Sequence, residues 1–200
     1  MTPTVHPIER ESYRILRSLV DLSHLPPLSR AVCERVVHAS ADLDYARTLV
    51  LDEAALQRGR EALAAGAPVV ADVGMVASGV TSRSVRCLVD DPRTRARASA
   101  EGLTRSAAAL RLAASEVGSG AVWVVGSAPT ALTELVRLSP EPALVIGLPV
   151  GFVGAADSKA ALAASGLPCL TNRGAKGGSA VAAAALNALL YHESEEADDR

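Results

Sequence analysis

The chain has 200 residues, of which 49% are hydrophobic and 21% charged, and its formal net charge is −2 at pH 7. Such a composition indicates one globular domain with a core of its own. The small net charge and the 2% aromatic content argue against a nucleic-acid partner. With no signal peptide and no long apolar span, we expect a cytoplasmic protein without a membrane partner.

The three cysteines, Cys33, Cys87 and Cys169, are far apart in the sequence. Their spacing matches neither a metal site nor a disulfide framework. We therefore expect each to be a small buried side chain in a reducing compartment, and we expect no metal site in the protein.

The first part of the chain is predicted to be mostly helical. Apolar residues at helical spacing predict a helix over residues 8–20, and a second helix over residues 30–38 ends on a histidine. Asp52 is the expected N-cap of a helix that ends near residue 65. Residues 68–72 then predict a strand that ends on a carboxylate, Asp72.

The middle of the chain alternates between the two kinds of element. Residues 74–79 indicate a loop or a short helix, and residues 85–89 a possible strand. A long helix is expected over residues 92–117, with or without a break at Gly102. A strand over residues 121–125 and a helix from residue 129 or 130 to 138 follow.

The stretch 143–179 contains two glycine-rich segments, each placed after a predicted strand. The first glycine loop (residues 147–154) follows a strand at 143–146, and Asp157 or Ser158 is expected to cap the helix after it. The second glycine loop (residues 173–178) follows a strand that starts at Pro168. A helix over residues 179–191 comes next, before an acidic tail.

Strands that alternate with helices predict an α/β fold, with a mainly parallel sheet flanked by helices in a single domain. We expect four strands, with a fifth at residues 85–89, and an ordered core over about residues 8–190. Because the carboxyl ends of parallel strands lie at one edge of a sheet, the two glycine loops are expected to form a ligand crevice there.

His38 stands out among the four histidines because it ends a helix, where the terminal carbonyls favour a cation. Arg35 lies one turn before it. An imidazole in that setting can deliver a proton near neutral pH, although the position alone also fits an ordinary surface or core histidine.

The phosphate-binding patterns Gly-x-x-x-x-Gly-Lys-Ser/Thr and Gly-x-Gly-x-x-Gly are both absent. Other motifs, from about residue 8 to residue 189, resemble in order those of the precorrin-8X methylmutase family of corrin (vitamin B12) biosynthesis. They include Arg-Val-Val-His-Ala at residues 35–39, Asp-Val-Gly-Met-Val with Gly-Val-Thr at 72–81, and Thr-Arg-Ser at 104–106. Gly-Ser-Ala-Pro-Thr at 126–130, Pro-Val-Gly-Phe-Val-Gly-Ala-Ala-Asp-Ser-Lys at 149–159 and Lys-Gly-Gly-Ser at 176–179 complete the set, after a weaker likeness at 8–13.

The resemblance implies an isomerase that moves a methyl group from ring carbon 11 to carbon 12 of a precorrin, giving hydrogenobyrinate or its cobalt form. It implies no cofactor and a catalytic proton donor at His38. The residues expected to bind the substrate by the same resemblance are Ser12, Arg35, Thr81, Arg105, Gly126, Thr130, Gly151, Lys176, Gly177 and Ser179.

The resemblance further implies a homodimer with a shared active site, because the substrate is a broad, flat macrocycle. Since the segment up to Ser12 precedes the sheet, we expect it to cover the site of a neighbouring subunit. Two alternatives stay open: a nucleotide-binding α/β enzyme, and a tetrapyrrole carrier without activity. The carrier is suggested by departures from the family pattern, such as Ser127 in place of the usual Asn and Ala175 in place of Arg.

Overall fold

The structure, a computed structural model, describes residues 6–198, with side chains through Tyr191. Its centre is a five-stranded sheet in the order β1-β5-β4-β3-β2. The strands are β1 (Leu49–Val50), β2 (Val69–Ala71), β3 (Val122–Val125), β4 (Leu144–Gly147) and β5 (Cys169–Asn172). Strands β2 to β5 pair in parallel, which confirms the predicted mainly parallel α/β sheet.

Helices cover both faces of the sheet. They are α1 (Pro7–Leu19), α2 (Pro27–Ser40), α3 (Tyr45–Thr48), α4 (Glu53–Ala64), α5 (Gly74–Ser78), α6 (Pro92–Glu101), α7 (Arg105–Val117), α8 (Pro129–Leu138), α9 (Ala155–Ala164) and α10 (Ser179–Asp198). Side chains of the strands alternate between two cores. Val122 and Val124 pack with helices α2, α4 and α10, whereas Trp123 and Val125 pack with α7, α8 and α9.

The fifth strand is not where the sequence suggested. Residues 85–89 form no strand, and the segment contributes only an isolated bridge from Arg86 to Val70. The extra strand is β1, which pairs antiparallel with β5 and places Leu49 opposite Asn172. Two residues are too few to show the alternation that identifies a strand, so sequence patterning could not find it.

The long helix expected over residues 92–117 is two helices. Gly102 ends α6 in the left-handed conformation, with φ of 64°, which glycine adopts without steric cost. Thr104 then caps α7 by accepting a hydrogen bond from the amide of Ala107. Arg105 is therefore the first residue of a helix, in a different setting from the helix interior.

The start of α9 also differs from the prediction. Gly154, with φ of 76°, is the N-cap, and the helix begins at Ala155. Asp157 and Ser158 therefore lie in the first turn and do not cap the helix. By contrast, Asp52 caps α4 as predicted, because its carboxylate accepts a hydrogen bond from the amide of Ala54 at 3.0 Å.

Helix α10 begins at Ser179 as predicted, but its backbone continues to Asp198, through the acidic stretch that was expected to be a tail. It packs more extensively on α2 than any other two elements pack on each other in the described chain. This contact brings the C-terminal half of α2, with Arg35 and His38, next to α10.

Candidate active site

The segments that carry most of the expected site residues converge at one edge of the sheet. Asp72 follows β2, the turn 126–128 follows β3, and the two glycine loops follow β4 and β5. Since these four strands are parallel, all four segments lie at the carboxyl ends, where α/β proteins form ligand crevices. The four segments therefore lie at the edge of the sheet where the sequence predicted a ligand crevice, and the crevice itself stays a prediction.

His38 lies in the last turn of α2 and is half-buried. Its Nδ1 lies 2.9 Å from the hydroxyl oxygen of Ser12, on α1. The ring of Tyr13 stacks on the imidazole, with centroids 4.8 Å apart and planes 12° from parallel. The imidazole is therefore held by one hydrogen bond and one ring face, and Nε2 is the nitrogen left for exchange with a ligand.

The contact with Ser12 bears on the N-terminal segment, which we expected to cover the site of a neighbouring subunit. Within one chain Ser12 lies at hydrogen-bond distance from His38, whereas a role of the segment in a neighbouring site stays a prediction. Helix α1 packs directly on α2, and Arg17 donates two hydrogen bonds to the carboxylate of Glu34, at 3.0 and 2.9 Å. This bidentate pair fixes α1 against α2 and so fixes the position of Ser12.

Arg35 and Thr81 meet at a residue that the sequence analysis did not single out, Tyr191. The Arg35 guanidinium lies over the Tyr191 ring, 5.3 Å from its centroid. The Tyr191 hydroxyl lies 2.9 Å from that of Thr81, and this hydrogen bond is the main cause of a lowered Tyr191 pKa. No motif marked Tyr191, because a tyrosine near the end of an alanine-rich helix has no distinctive pattern.

Asp72 orders the turn after β3. Its buried carboxylate accepts hydrogen bonds from three successive amides, those of Gly126 at 3.1 Å, Ser127 at 2.9 Å and Ala128 at 2.8 Å. Burial raises the pKa of Asp72, and the three amide hydrogen bonds oppose that rise. Position 127 enters this bonding through its backbone, so serine can make the same contact as asparagine.

Arg105 and Thr130 are exposed and lie on neighbouring helix starts. The hydroxyl of Thr130 is 2.8 Å from that of Thr104, which joins the first turns of α7 and α8. Among the residues that the structure describes, Arg105 has one ion pair, a long one of 3.7 Å with Asp90 between exposed side chains. A contact of this length in water contributes little, so the guanidinium is available for a carboxylate ligand.

The two glycine loops form one unit. The amide of Gly151 donates to the carbonyl of Ala175 at 3.1 Å, and the amide of Gly178 donates to the carbonyl of Leu148 at 2.9 Å. A Cβ on Gly177 would lie 2.3 Å from the Leu148 carbonyl oxygen, so only glycine fits between the loops. Gly151 and Gly177 therefore join the two loops through their backbones, and their predicted contacts with the substrate stay a prediction.

Lys176 is engaged by the protein itself. Its ammonium donates to the carboxylates of Asp42 at 2.6 Å and Asp44 at 2.8 Å, and both contacts raise its pKa. Asp42 follows α2 by two residues, so the second glycine loop is linked to the end of the helix that carries His38. The prediction that Lys176 binds substrate remains untested, but here the side chain joins two parts of the site.

Ser179 is half-buried and is the first residue of α10. A Cβ added to Gly126 would lie 2.9 Å from the Cα of Ser179. The N-terminus of α10 thus abuts the turn that Asp72 organises. First-turn amides of a helix attract anions. The geometry is compatible with the predicted roles of Ser179 and Gly126 near a ligand carboxylate.

Within the part of the chain that the structure describes, no three histidine, cysteine or acidic side chains lie close enough together to hold a metal ion. Likewise, none of the helices within residues 6–198 is both long enough and apolar enough to span a bilayer.

Comparison with known proteins identifies the family. Residues 7–192 match the model of the precorrin-8X methylmutase family. The chain is 44% identical to a precorrin-8X methylmutase of Sinorhizobium sp. over 194 residues, covering 91% of this chain and 92% of that protein. It is 40% identical to a cobalt-precorrin-8 methylmutase of Methanothermobacter thermautotrophicus over 189 residues, covering 92% and 91%.

A solved structure agrees with these matches. The precorrin-8X methylmutase of Thermus thermophilus superimposes with a TM-score of 0.85 at 34% identity, over 96% of this chain and all of that one. Sequence and fold coincide along nearly the whole length of the chain. The chain therefore belongs to the precorrin-8X methylmutase family.

Proposed function

We propose that this protein is an isomerase that moves a methyl group from carbon 11 to carbon 12 of a precorrin macrocycle. The observation that carries the proposal is the setting of His38, held by Ser12 and Tyr13 at the edge of the crevice, within a chain of this family. Migration within one molecule needs no group donor. It needs a proton donor and a rigid binding site that holds the substrate in one orientation.

His38 is the proposed proton donor. In the imidazolium form both ring nitrogens donate, so Nδ1–H bonds to the Ser12 hydroxyl and Nε2–H remains to donate to the substrate. Protonation of the conjugated macrocycle makes its ring carbons electron-poor and lowers the barrier to methyl migration. After the methyl group has moved, the macrocycle loses a proton and Nε2 takes one up, so the isomerisation has no net proton change. Nδ1–H donates to Ser12 throughout, which keeps the ring in one orientation.

The peripheral carboxylates of the substrate are the proposed partners of the exposed and half-buried cations around the crevice. The Arg35 guanidinium lies over the Tyr191 ring, 5.3 Å from its centroid, and the ion pair of Arg105 with Asp90 is long and exposed. Arginine suits this task because its fork binds a carboxylate through two hydrogen bonds. The amides at the start of α10 would serve another carboxylate.

A carrier without activity is the weaker reading. A carrier needs a pocket and a set of anion contacts, but it does not need an imidazole whose orientation is held by a hydrogen bond at Nδ1 and by a stacked ring. The Ser127 substitution that suggested a carrier leaves the Asp72 hydrogen bonds intact. A nucleotide-binding enzyme is excluded by membership of the family.

The test is turnover with metal-free and cobalt-containing precorrin-8, followed by the absorbance change that accompanies the new conjugation. We expect His38→Ala to lower turnover by roughly 10²–10⁴-fold, the usual contribution of general acid catalysis, while pigment binding stays close to wild type. His38→Asn serves as a control for shape. Near-wild-type turnover of folded His38→Ala would refute the assignment. Relatives named for the metal-free and for the cobalt substrate are about equally similar, so the metal state is settled only by this assay.

We also propose that the protein works as a homodimer in the cytoplasm. Phe152 and Val153, at the tip of the first glycine loop, are almost wholly exposed, as is most of Met75 on α5. Large exposed apolar side chains in segments that follow the carboxyl ends of the strands are typical of surfaces that a partner covers. A second copy would bury them and enlarge the crevice to the size of a macrocycle.

Light scattering at micromolar concentration tests the dimer. We expect a dimer for the wild type and a monomer, with an unchanged far-UV spectrum, for the variant Phe152→Asp. Exposed Ile8 on α1 provides a matched control, since Ile8→Asp should not change the mass if the glycine-loop tip is the interface. A monomeric wild type would contradict the proposal.

A further inference from the structure

Lys159, on α9, is a buried lysine that the reaction scheme above does not use. Only 1% of its surface is exposed, which is rare for a lysine. Its ammonium donates to Asn172 Oδ1 at 3.0 Å and to the backbone carbonyl of Lys176. Neither acceptor carries a charge. Removing a cation from water costs free energy, and hydrogen bonds to two neutral acceptors offset only part of that cost.

The two acceptors belong to the same short stretch of chain. Asn172 ends β5, and its own Nδ2 donates to the carbonyls of Lys176, at 3.0 Å, and Arg173, at 3.2 Å. The Lys176 carbonyl therefore receives hydrogen bonds from both side chains. Together Lys159 and Asn172 hold the second glycine loop at its start and near its end.

The consequences extend to both sides of the crevice. The loop that Lys159 holds packs on the first glycine loop through Gly177 and Gly178, and it leads directly into the start of α10. The side chain of Lys176 then reaches Asp42 and Asp44 beside the end of α2. One buried ammonium thus locates a backbone segment that contacts three walls of the site.

We propose that Lys159 is a positioning residue for substrate binding, which acts by holding the Lys176 carbonyl so that the second glycine loop and the start of α10 face the substrate carboxylates. This proposal rests on the function proposed above. Lys159 does not itself touch the substrate, because its ammonium is buried beneath the loop. Loss of the Lys159 ammonium should therefore weaken substrate binding and leave the rate of the chemical step nearly unchanged, because His38 is held separately by α1.

The first test uses Lys159→Met, which matches the apolar stem of the lysine and removes the ammonium. We expect KM for precorrin-8 to rise about tenfold and kcat to stay within about twofold of wild type. Ser158→Ala is the matched control, because Ser158 is equally buried on α9 but bonds only within its helix, to the carbonyl of Ala155. Its kinetics should equal those of the wild type.

The second test reads the loop without substrate, by hydrogen exchange of the free protein. Lys159→Met should speed exchange in the segment 173–178 at least tenfold relative to α4 in the same molecule, and Ser158→Ala should not. Unchanged exchange in a folded variant overturns the proposal. Faster exchange with an unchanged KM overturns it too, because the loop would then be held for stability alone.

If Lys159→Met does not fold, the variant Asn172→Asp tests the same proposal. That variant retains the acceptor for Lys159 and loses the two Nδ2 donors, so it should raise KM and loop exchange in the same direction. If the loop is the shared target, the double variant raises KM by less than the product of the two single effects. Wild-type protein that binds no precorrin would refute the proposed function, whereas the exchange result would still report on the loop.

Discussion

The buried ammonium of Lys159 makes a quantitative prediction about stability and pH. Burial lowers the pKa of Lys159 from 10.5 to about 8. Between these two values the unfolded chain binds more protons at this site than the folded chain does, so the free energy of unfolding rises with pH. One pKa unit corresponds to about 1.4 kcal/mol, so the full window is worth about 3 kcal/mol.

The perturbation is Lys159→Met, which removes this titration. The wild type carries the whole cost of burying the ammonium below pH 8, and the cost disappears as pH rises towards 10.5. The unfolding free energy of the variant minus that of the wild type should therefore fall by up to about 3 kcal/mol between pH 7 and pH 10.5. The lost hydrogen bonds, about 1 kcal/mol each, shift the whole difference but hardly its slope.

Urea unfolding of both proteins at intervals across this range provides the assay, and the other titrating groups cancel in the difference. Ser158→Ala, which has the same charge as the wild type, gives the baseline. A difference that stays constant within about 0.5 kcal/mol over the range would show that Lys159 titrates as it does in the unfolded chain, and would refute the reasoning.

Three further predictions concern the crevice. Ser12→Ala should lower kcat about tenfold with little change in substrate affinity, because His38 loses its orienting partner; an unchanged kcat would mean that Tyr13 stacking suffices. Gly177→Ala should lower both the melting temperature and activity, since its Cβ would lie 2.3 and 2.5 Å from carbonyl oxygens of the first glycine loop, whereas Gly74→Ala meets nothing within 4 Å and should be neutral. Arg105→Lys should already weaken pigment binding by about tenfold, and Arg105→Ala by more, as measured by titration; wild-type affinity in both would show a surface role only.

Much of the sheet could be predicted because its strands are short apolar runs separated by glycine and proline. The residues 121–125 and 143–146 are apolar throughout, which is typical of parallel strands buried on both faces. The strand predictions that were wrong concern segments whose structure depends on tertiary contacts. Strand β1 exists because Leu49 and Val50 lie beside β5, and residues 85–89 form no strand despite a favourable pattern.

The residues of the candidate site that lie in sequence motifs could be predicted. The residues that orient them could not. His38 and the glycine loops were identified as chemistry-bearing from the sequence, and the structure sets them at the same edge. The partners that orient them were not identifiable: Ser12 was assigned to the substrate, and Tyr191 and Lys159 were passed over. A hydrogen bond between residues 26 or 110 positions apart leaves no local pattern in the sequence.

The alanine-rich surface of α10 has a consequence for how the crevice keeps its shape. Ala182 and Ala183 lie against Gly126 and Gly79, where a Cβ would come within 2.9 and 2.6 Å of their methyl groups. Alanine has no rotamers, so its burial costs no side-chain entropy. The spacing between α10 and the segments that bear Gly126 and Gly79 is thus set by alanine methyl groups against glycine main chain, and neither has rotamers that could widen it. A larger side chain at position 182 or 183 would push α10 away from the segments that bear Gly126 and Gly79, and so would widen the crevice.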